Sequence, residues 1–427
     1  MRHPLCAIPD SVRAGRPEGI TSVCSAHPVV IEAALLTARR LGRPALIEAT
    51  CNQVNQDGGY TGMTPQDFRD FVEGIARRAD CGNVEIILGG DHLGPNPWKA
   101  LPAPEAMAKA EAMIAAYAAA GFTKLHLDTS MGCQGEPVAL ADAETAARAA
   151  RLAEVAEAHA AGPLKPVYVI GTEVPVPGGA TEALDAGHLQ VTTPDAVRET
   201  YAVHRAAFGA RGLDEAFARV IALVVQPGVE FGHSDVIHFE PEKARALSAC
   251  LNDLPPLVFE AHSTDYQTEA NLSALVANGF AILKVGPWLT FALREALYGL
   301  DAIADVLDRT PPQGGLMQAM EDVMQASPGN WAKYYTGTDR DQWLQRHFSL
   351  SDRIRYYWPD PAATEAVDKV LTRLQGRSIP VPLASQYLPA VTTDDTTLTA
   401  QSALVGAVAA VLARYERAIR PGATGLP

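Results

Sequence analysis

The sequence lacks paired cysteines, long apolar runs and any excess of positive charge, and each absence excludes a class of protein. Its six cysteines are scattered over 427 residues without a Cys-x-x-Cys pair, so we expect reduced thiols rather than a disulfide framework or a zinc ribbon. No stretch of about 18 consecutive apolar residues is present, which argues against a membrane-spanning helix. Residues 1–10 contain too short an apolar core for a secretory signal. We therefore expect a cytoplasmic protein.

Positive charge is scarce as well. The chain has 35 Lys and Arg against 49 Asp and Glu, which gives a net charge of −14, and the basic residues form no run. We therefore expect neither nucleic acid nor an anionic membrane as a partner. A phosphorylated substrate is compatible with this balance, because helix N-termini and backbone amides bind phosphate without a basic surface.

What the sequence has in abundance is an alternation of short apolar segments and Ala-rich helical segments. Eight segments are predicted as buried parallel strands, because they combine aliphatic runs with flanking turn residues. They span residues 20–25, 44–51, 84–89, 124–129, 167–171, 221–225, 257–261 and 282–285. Eight strand–helix units predict a TIM (β/α)8 barrel, which we place at residues 1–300. A doubly wound open sheet is the alternative, but no Gly-x-Gly-x-x-Gly follows the first strand.

The strand pattern stops before residues 301–427, which are predicted to be helical with an aromatic-rich middle. We expect this extension to pack on the barrel rather than to form an independent domain. It would cap the barrel or make a contact between subunits of an oligomer. The region of Asp352 and Arg355 is interpreted as an ordinary solvated helix face.

Polar side chains collect where the predicted strands end, and in a barrel these ends meet at one mouth. Imidazole nitrogen and carboxylate oxygen suit Zn²⁺ or a similar ion, so we predict a divalent metal there, with a carboxylate as general acid or base. Such a site suits carbon–carbon cleavage or epimerisation beside a ketose carbonyl. The polar residues are Glu48, Asn52, Asp91, His92, His126, Asp128, Glu173, Gln226, Glu230, His233, Glu260, His262, Asp265 and Lys284.

Several of these residues also have a structural interpretation. Asp91 could cap the amides of its own loop, since an acid before Gly-Pro commonly does so. His126 is expected to support or pack rather than to bind the metal. Glu230 and His233 lie in one loop, and only one of them need reach the ion. Lys284 is either a Schiff-base lysine or an ion-pair partner of the carboxylates at the mouth.

Seven ordered motifs resemble the GatZ/KbaZ family, the larger subunits of class II D-tagatose-1,6-bisphosphate aldolases of galactitol and N-acetylgalactosamine breakdown. The resemblance implies a TIM barrel and an accessory role, in which this Z-type subunit supports a smaller catalytic Y-type subunit that releases glycerone phosphate and glyceraldehyde 3-phosphate. The motifs are GITSVCSAHPVVIEAAL, LIEATCNQVNQDGGYTGMTP, GGDHLGPNPW, KLHLDTSM, GTEVPVPGG, VVQPGVEFGHS and FEAHSTDYQT.

Other descriptions within and around this family leave a second function open. Some members carry a tagatose 6-phosphate kinase label, but this sequence has no Gly-x-x-x-x-Gly-Lys-Ser/Thr loop to support it. Related proteins are described as metal-dependent ketose or keturonate 4-epimerases. The resemblance favours the accessory subunit, which we take as the first hypothesis. The polar mouth favours an autonomous epimerase or aldolase, because clustered carboxylates repel one another unless a cation lies among them.

The resemblance also implies roles for individual residues. Asp91 resembles the catalytic acid or base of class II aldolases and Glu173 their fifth-strand glutamate, while His92 and His262 resemble metal ligands. The third ligand is either Glu230 or His233, because this loop departs from the aldolase pattern. No phosphate-binding nest is recognisable after the seventh strand. From its position at the mouth, Lys284 is a further catalytic candidate. Six other polar residues at the mouth are expected to bind the ketose phosphate: Glu48, Asn52, Asp128, Gln226, Glu260 and Asp265.

Overall fold

A computed structural model describes residues 2–171, 189–311, 315–391 and 398–420. Eight parallel strands close into a barrel in the order β1-β10-β9-β6-β5-β4-β3-β2, while β7 and β8 pair as a small antiparallel hairpin outside it. The predicted TIM barrel is confirmed. The strands are β1 (Ile20–Cys24), β2 (Ala45–Thr50), β3 (Ile86–Leu93), β4 (Lys124–Leu127), β5 (Val167–Ile170), β6 (Val220–Val224), β7 (Glu230–Phe231), β8 (Val236–Ile237), β9 (Val258–Ala261) and β10 (Phe280–Val285).

Each barrel strand is followed by at least one helix before the next barrel strand. In the described part of the chain the helices are α1 (Ala7–Arg13), α2 (Pro28–Leu41), α3 (Pro65–Arg78), α4 (Ala103–Ala119), α5 (Asp142–His159), α6 (Pro194–Gly209), α7 (Asp214–Phe217), α8 (Pro241–Ala249), α9 (Glu269–Ala277), α10 (Pro287–Asp308), α11 (Gly315–Ala326), α12 (Asp339–Phe348), α13 (Pro361–Leu374), α14 (Val381–Tyr387) and α15 (Ala400–Ala418). None of them is both long and apolar enough to span a membrane.

Local sequence signals set the helix ends. At the start of α3, the Thr64 side chain accepts from the backbone N–H of Asp67, and the Asp67 carboxylate accepts from the backbone N–H of Thr64. This reciprocal capping box, with Pro65 in the first turn, satisfies N–H groups that the helix itself leaves without acceptors. At the end of α2, Gly42 adopts φ 63°, a left-handed conformation that costs glycine little.

The C-terminal extension returns to the barrel. Helix α15 packs against α2, α9 and α10, and α13 packs against α10 and α11. A short 3₁₀ helix, Arg353–Tyr357, lies between α12 and α13 and contacts α10. The interpretation of the Asp352 region as a solvated helix face was wrong: Asp352 is 1% exposed and receives a hydrogen bond from Thr290 on α10.

Candidate functional site

The site begins where β3 departs from regular strand geometry. The strand was predicted to end at Gly89, but it continues to Leu93, with a register irregularity between Gly90 and Leu93. His92 adopts φ 49°, a left-handed conformation that is strained for a residue with a side chain. Neighbouring residues of a regular strand face opposite sides. The irregularity instead lets Asp91 and His92 line the same cavity.

Gly89 makes room for a charged side chain from the neighbouring strand β2. A Cβ atom at this position would lie 2.6 Å from Cγ of Glu48 on β2, closer than van der Waals contact permits. The absence of a side chain therefore allows the Glu48 carboxyl group to cross over β3 inside the barrel. This explains the glycine immediately before the polar end of the strand.

One acid and three imidazoles meet at the barrel mouth, and we call Asp91, His92, His126 and His262 the histidine cluster. One potential ligand atom from each of the four lies within 4.8 Å of the other three. The His92 ring centroid is 4.9 Å from that of His126 and 4.8 Å from that of His262. All four residues are buried. Such convergence of nitrogen and oxygen donors from β3, β4 and the residue that follows β9 suits a first-row divalent ion.

The hydrogen-bond partners of the rings assign the N–H of each imidazole. Nδ1 of His92 is 2.9 Å from Asp128 Oδ2, and Nε2 of His262 is 3.0 Å from Glu260 Oε1. Because an ionised carboxylate only accepts, these nitrogens donate. Nε2 of His92 and Nδ1 of His262 then carry the lone pairs. Metal-binding histidines are oriented by carboxylates in this way.

His126 is oriented by a backbone carbonyl. Its Nε2 is 3.0 Å from the oxygen of Gly171, so Nε2 donates, and a neutral ring then has its lone pair on Nδ1. That Nδ1 accepts from the backbone N–H of His92 at 3.2 Å and faces Asp91 Oδ1 at 3.0 Å. Two acceptors face each other at this last contact, which a proton or a cation between them would make favourable. The donor set therefore fits a divalent ion.

Below the cluster, two lysines and two glutamates form a buried ion network inside the barrel. Lys124 Nζ lies 2.7 Å from Glu48 Oε1 and 2.7 Å from Glu260 Oε2, as ionic contacts without hydrogen-bond alignment. Lys284 Nζ donates to Glu48 Oε2 at 2.6 Å and lies 2.8 Å from Asp91 Oδ1. The network thus links the interior of the barrel to the cluster.

Burial and neighbouring charges compete in setting the protonation of these groups. Burial would raise the pKa of Asp91, but the His92 imidazole and the Lys284 ammonium outweigh it and hold the pKa well below its ordinary value. Burial also opposes the charge of Lys284, yet the carboxylates around it, Asp91 first, hold its pKa well above the ordinary value. Burial would raise the pKa of Asp128, but the interactions with His92, His126 and Ser130 together outweigh it and lower the pKa.

Charge balance favours a divalent cation in the cluster. The cluster and network hold four carboxylates, Glu48, Asp91, Asp128 and Glu260, against the two ammonium groups of Lys124 and Lys284. Two negative charges therefore remain among these buried groups, and buried charge is costly unless it is compensated.

A second set of potential ligands, Cys24, Glu48 and Asp91, also lies close together. The Lys284 ammonium already contacts both carboxylates of this set. Burial raises the pKa of the Cys24 thiol, so that it stays protonated. The histidine cluster is therefore the better metal site.

Glu230 and His233, the two residues expected as alternatives for a third ligand, lie outside the histidine cluster in the described structure. Glu230 is buried on β7, where its Oε1 accepts from the backbone N–H of Phe231. His233 contacts the extension: its Nδ1 lies 3.0 Å from Ser349 Oγ and its Nε2 lies 3.2 Å from the carbonyl oxygen of Tyr334. The histidine that joins Asp91, His92 and His262 in the cluster is therefore His126 rather than His233. From the sequence, His126 was expected to support or pack rather than to bind the metal.

The other expected site residues have varied surroundings. Asn52 lines the mouth cavity. Gln226 orders its own loop by accepting from the backbone N–H groups of Gly228 and Val229. Glu173 lies outside the described residues.

Asp265 lines the cavity and caps α10. Its Oδ1 accepts from the backbone N–H groups of Gly286 and Trp288 at 3.1 and 2.8 Å. Burial raises its pKa to about 6, although the two backbone donors oppose this shift. Its carboxyl group thus stabilises the first turn of the helix beside the cavity.

The cavity above the cluster has a volume of about 480 Å³, within the range of small-molecule sites. Its floor includes Asp91, His92 and His262, and part of its wall comes from the C-terminal extension. Sequence reasoning missed this wall, and it also missed the buried Lys124. The lysine could have been found, because residues 124, 126 and 128 alternate along β4 and so share one face of the strand.

Comparisons with known proteins agree with this architecture. The sequence model described as "D-tagatose-1,6-bisphosphate aldolase subunit GatZ/KbaZ-like" matches residues 5–420. The chain is 53% identical over 417 residues to D-tagatose 6-phosphate 4-epimerase of Agrobacterium fabrum, covering 96% of this chain and 97% of that relative. A crystal structure of a probable tagatose 6-phosphate kinase from Sinorhizobium meliloti superposes with a TM-score of 0.86 at 58% identity, covering 94% of this chain and 100% of that chain. The chain therefore belongs to the GatZ/KbaZ-like family.

Proposed function

We propose that the chain is a metal-dependent 4-epimerase that interconverts D-tagatose 6-phosphate and D-fructose 6-phosphate, two ketoses that differ in configuration at C4. The observation that carries this proposal is the histidine cluster, with its donors oriented from behind by carboxylates and a carbonyl. The relative from Agrobacterium fabrum bears this activity in its name, and the similarity extends over almost the full length of both chains.

The position of the inverted carbon dictates the chemistry. In a 2-ketose the C4 hydrogen is β to the carbonyl and is not acidic, so proton removal at C4 is unfavourable. Cleavage of the C3–C4 bond is accessible instead. The C4 hydroxyl loses its proton and becomes an aldehyde, and the electron pair of the broken bond passes to the C2 carbonyl. Rotation of the aldehyde and re-formation of the bond invert C4, and no atom is gained or lost.

Asp91 is suited to move the proton of the C4 hydroxyl. Its Oδ1 is engaged by Lys284 and His126, whereas its Oδ2 lies 3.8 Å from Nε2 of His92 and 3.9 Å from Sγ of Cys24. Because the pKa of Asp91 is held low, the carboxylate is ionised and can accept a proton. Lys284 is the ion-pair partner in this scheme, since an ammonium with a raised pKa is a poor Schiff-base nucleophile.

His92 and His262 would hold the cation, with His126 completing the set. A bound cation supplies a Lewis acid that polarises the C2 carbonyl. We propose Zn²⁺ first, because nitrogen and oxygen donors are its ordinary ligands. Asp128 and Glu260, expected from sequence to bind substrate, are proposed instead as positioning residues, because they fix the imidazoles from behind.

The proposal is tested by following the reaction in D₂O. Purified, Zn²⁺-supplemented chain is incubated with D-tagatose 6-phosphate, and the products are identified by ¹H and ¹³C NMR. We expect D-fructose 6-phosphate without solvent deuterium at C4, because the C4 hydrogen stays on its carbon throughout cleavage and re-formation. Deuterium at C4 would rule out this route, and no formation of D-fructose 6-phosphate would rule out the proposed activity.

A second candidate is the accessory Z-type subunit of an aldolase. The family description favours it, and so does an exposed apolar patch on α12 that includes Trp343, Leu344 and Phe348, because such patches mark contact surfaces. A Y-type subunit or a second copy of this chain would bind there. In this case cleavage of D-tagatose 1,6-bisphosphate requires the Y-type subunit and increases when this chain is added.

A further inference from the structure

The mouth cavity has a second charged surface opposite in sign to the buried acids. Four cationic side chains line it, and we call them the cationic wall: Lys99, Lys333, Arg353 and Arg355. Three of them belong to the C-terminal extension. The carboxyl groups that line the same cavity are already engaged, Asp91 in the histidine cluster and Asp265 as the cap of α10.

The two arginines of the wall lack acidic partners. Within the residues that the structure describes, no carboxylate oxygen lies within 4.0 Å of a guanidinium nitrogen of Arg353 or Arg355. By contrast, Arg346 on the preceding helix pairs with Glu321. Arg353 is only 8% exposed, and a buried guanidinium is normally paired. The positive charges of Arg353 and Arg355 are thus available to bind an anion.

Aromatic rings and carbonyl groups hold the arginines in place. The guanidinium carbon of Arg353 lies 3.5 Å from the ring centroid of Tyr334, and that of Arg355 lies 4.5 Å from the ring centroid of Tyr356. Arg353 also donates to the carbonyl of Asn330. Arg355 donates from Nη1 to two backbone carbonyls of its own segment and from Nη2 to the Tyr356 hydroxyl, so within the described residues its Nε and the second Nη2 hydrogen are the donors that an anion can use. Guanidinium groups pre-organised in this way strengthen phosphate binding.

The segment that carries the arginines is fastened to the barrel by buried contacts. The Asp352 carboxylate accepts from Thr290 at 2.6 Å and from Arg294 at 3.2 Å. Two residues earlier, the backbone N–H of Leu350 donates to the carbonyl of His233, and its own carbonyl accepts from the Tyr266 hydroxyl. The arginines therefore have a fixed position relative to the cluster.

We propose that the cationic wall binds the phosphate group of the sugar, so that the C-terminal extension selects phosphorylated ketoses. This inference rests on the proposed function for the identity of the sugar. The carbonyl end of a ketose 6-phosphate would lie on the histidine cluster and its phosphate on Arg353 and Arg355, with Lys99 and Lys333 at the exposed rim. A cavity of about 480 Å³ can accommodate both ends of such a molecule.

The test compares a phosphorylated and an unphosphorylated sugar. Arg353→Met and Arg355→Met each remove one charge from the wall, and Arg340→Met, exposed on α12, removes one charge from the extension outside the cavity. We expect the preference in kcat/KM for D-tagatose 6-phosphate over D-tagatose to fall about 10- to 100-fold in the first two variants and to persist in Arg340→Met. Calorimetry with D-tagatose 6-phosphate measures the matching increase in Kd.

One further variant, with the same binding measurement, keeps failure of the cationic wall separate from failure of the epimerase proposal. Lys333→Met alters an exposed side chain and so should fold, and it is expected to weaken binding of D-tagatose 6-phosphate about 3- to 10-fold. A chain that turns over neither sugar but loses affinity for D-tagatose 6-phosphate in these variants upholds the cationic wall while the epimerase proposal fails. Unchanged affinity in all three wall variants, equal losses for both sugars, or no binding by the unaltered chain overturns the wall.

Discussion

Conversion of Asp91 to asparagine is expected to lower kcat for 4-epimerisation about 10²- to 10⁴-fold. Asparagine has the shape of aspartate but cannot accept a proton, so bond cleavage loses its base. The histidines stay in place, and we expect the variant to retain its metal. Steady-state rates with D-tagatose 6-phosphate, together with metal content by mass spectrometry, measure both effects.

The control for this prediction is Asp70→Asn on the exposed face of α3. It removes one negative charge from a solvent-exposed position that does not line the cavity, and we expect kcat to change less than about twofold. If Asp91→Asn kept a rate within a few-fold of the unaltered chain, another group would have to move the proton. Loss of metal together with activity would instead make Asp91 a ligand.

The second large effect concerns stability. Lys124 is 0% exposed and compensates Glu48 and Glu260 inside the barrel. Lys124→Met leaves the two carboxylates with less positive charge, and breaking a buried ion pair from one side typically costs about 3–5 kcal/mol. We expect a decrease of that size in the free energy of unfolding, measured by denaturation with urea. The control Lys109→Met breaks a half-exposed pair with Asp57, and its expected cost is below about 1 kcal/mol.

The loss of stability in Lys124→Met is expected to depend on pH, because the substitution changes the pKa of Glu260. In the unaltered chain burial opposes the charge of Glu260, but Lys124 and Lys284 hold its pKa well below the ordinary value. That stability is present above the unfolded pKa of about 4.3 and is lost as pH falls through the folded pKa. In Lys124→Met we expect the pKa of Glu260 to rise above its unfolded value. The difference in unfolding free energy between Lys124→Met and the unaltered chain should then decrease as pH falls from about 8 towards about 5, because Glu260 becomes protonated in the folded variant.

A double variant tests whether the loss of stability comes from buried negative charge left without a cation. Adding Glu260→Gln to Lys124→Met removes one uncompensated charge, so we expect part of the lost stability to return, with a coupling above about 1 kcal/mol. If the loss of unfolding free energy in the double variant equals the sum of the losses in Lys124→Met and Glu260→Gln, the ion network is contradicted. If Lys124→Met alone does not fold at neutral pH, recovery of folding in the double variant serves as the measurement.

The barrel could be predicted from sequence because its strands are buried on both faces and read as separate aliphatic runs. The end of β3 could not, since the continuation to Leu93 depends on a register irregularity and a left-handed His92 that no propensity encodes. His126 was given a supporting role because one histidine on an apolar strand is usually packing. Only the pairing of β3 with β4 brings its ring within 4.9 Å of that of His92.

The contribution of the extension was beyond the reach of local patterns. His233 and Ser349 are 116 positions apart in sequence, yet their side chains touch. The arginines at 353 and 355 look like surface charges until the chain folds back over the mouth. We propose that residues 301–427 are one unit with the barrel, because they supply part of the wall of its cavity.

The central claim is that the histidine cluster holds one catalytic divalent ion, and a metal titration of the chelated chain tests it most directly. Bound Zn²⁺ and the rate of D-tagatose 6-phosphate epimerisation are measured on the same samples, with His92→Ala and His262→Ala beside the unaltered chain. We predict one ion per chain, a rate that rises in proportion to occupancy, and neither binding nor rate in the two variants. Full activity in the metal-free chain, or stoichiometric Zn²⁺ binding in each of the two histidine variants, would contradict the account.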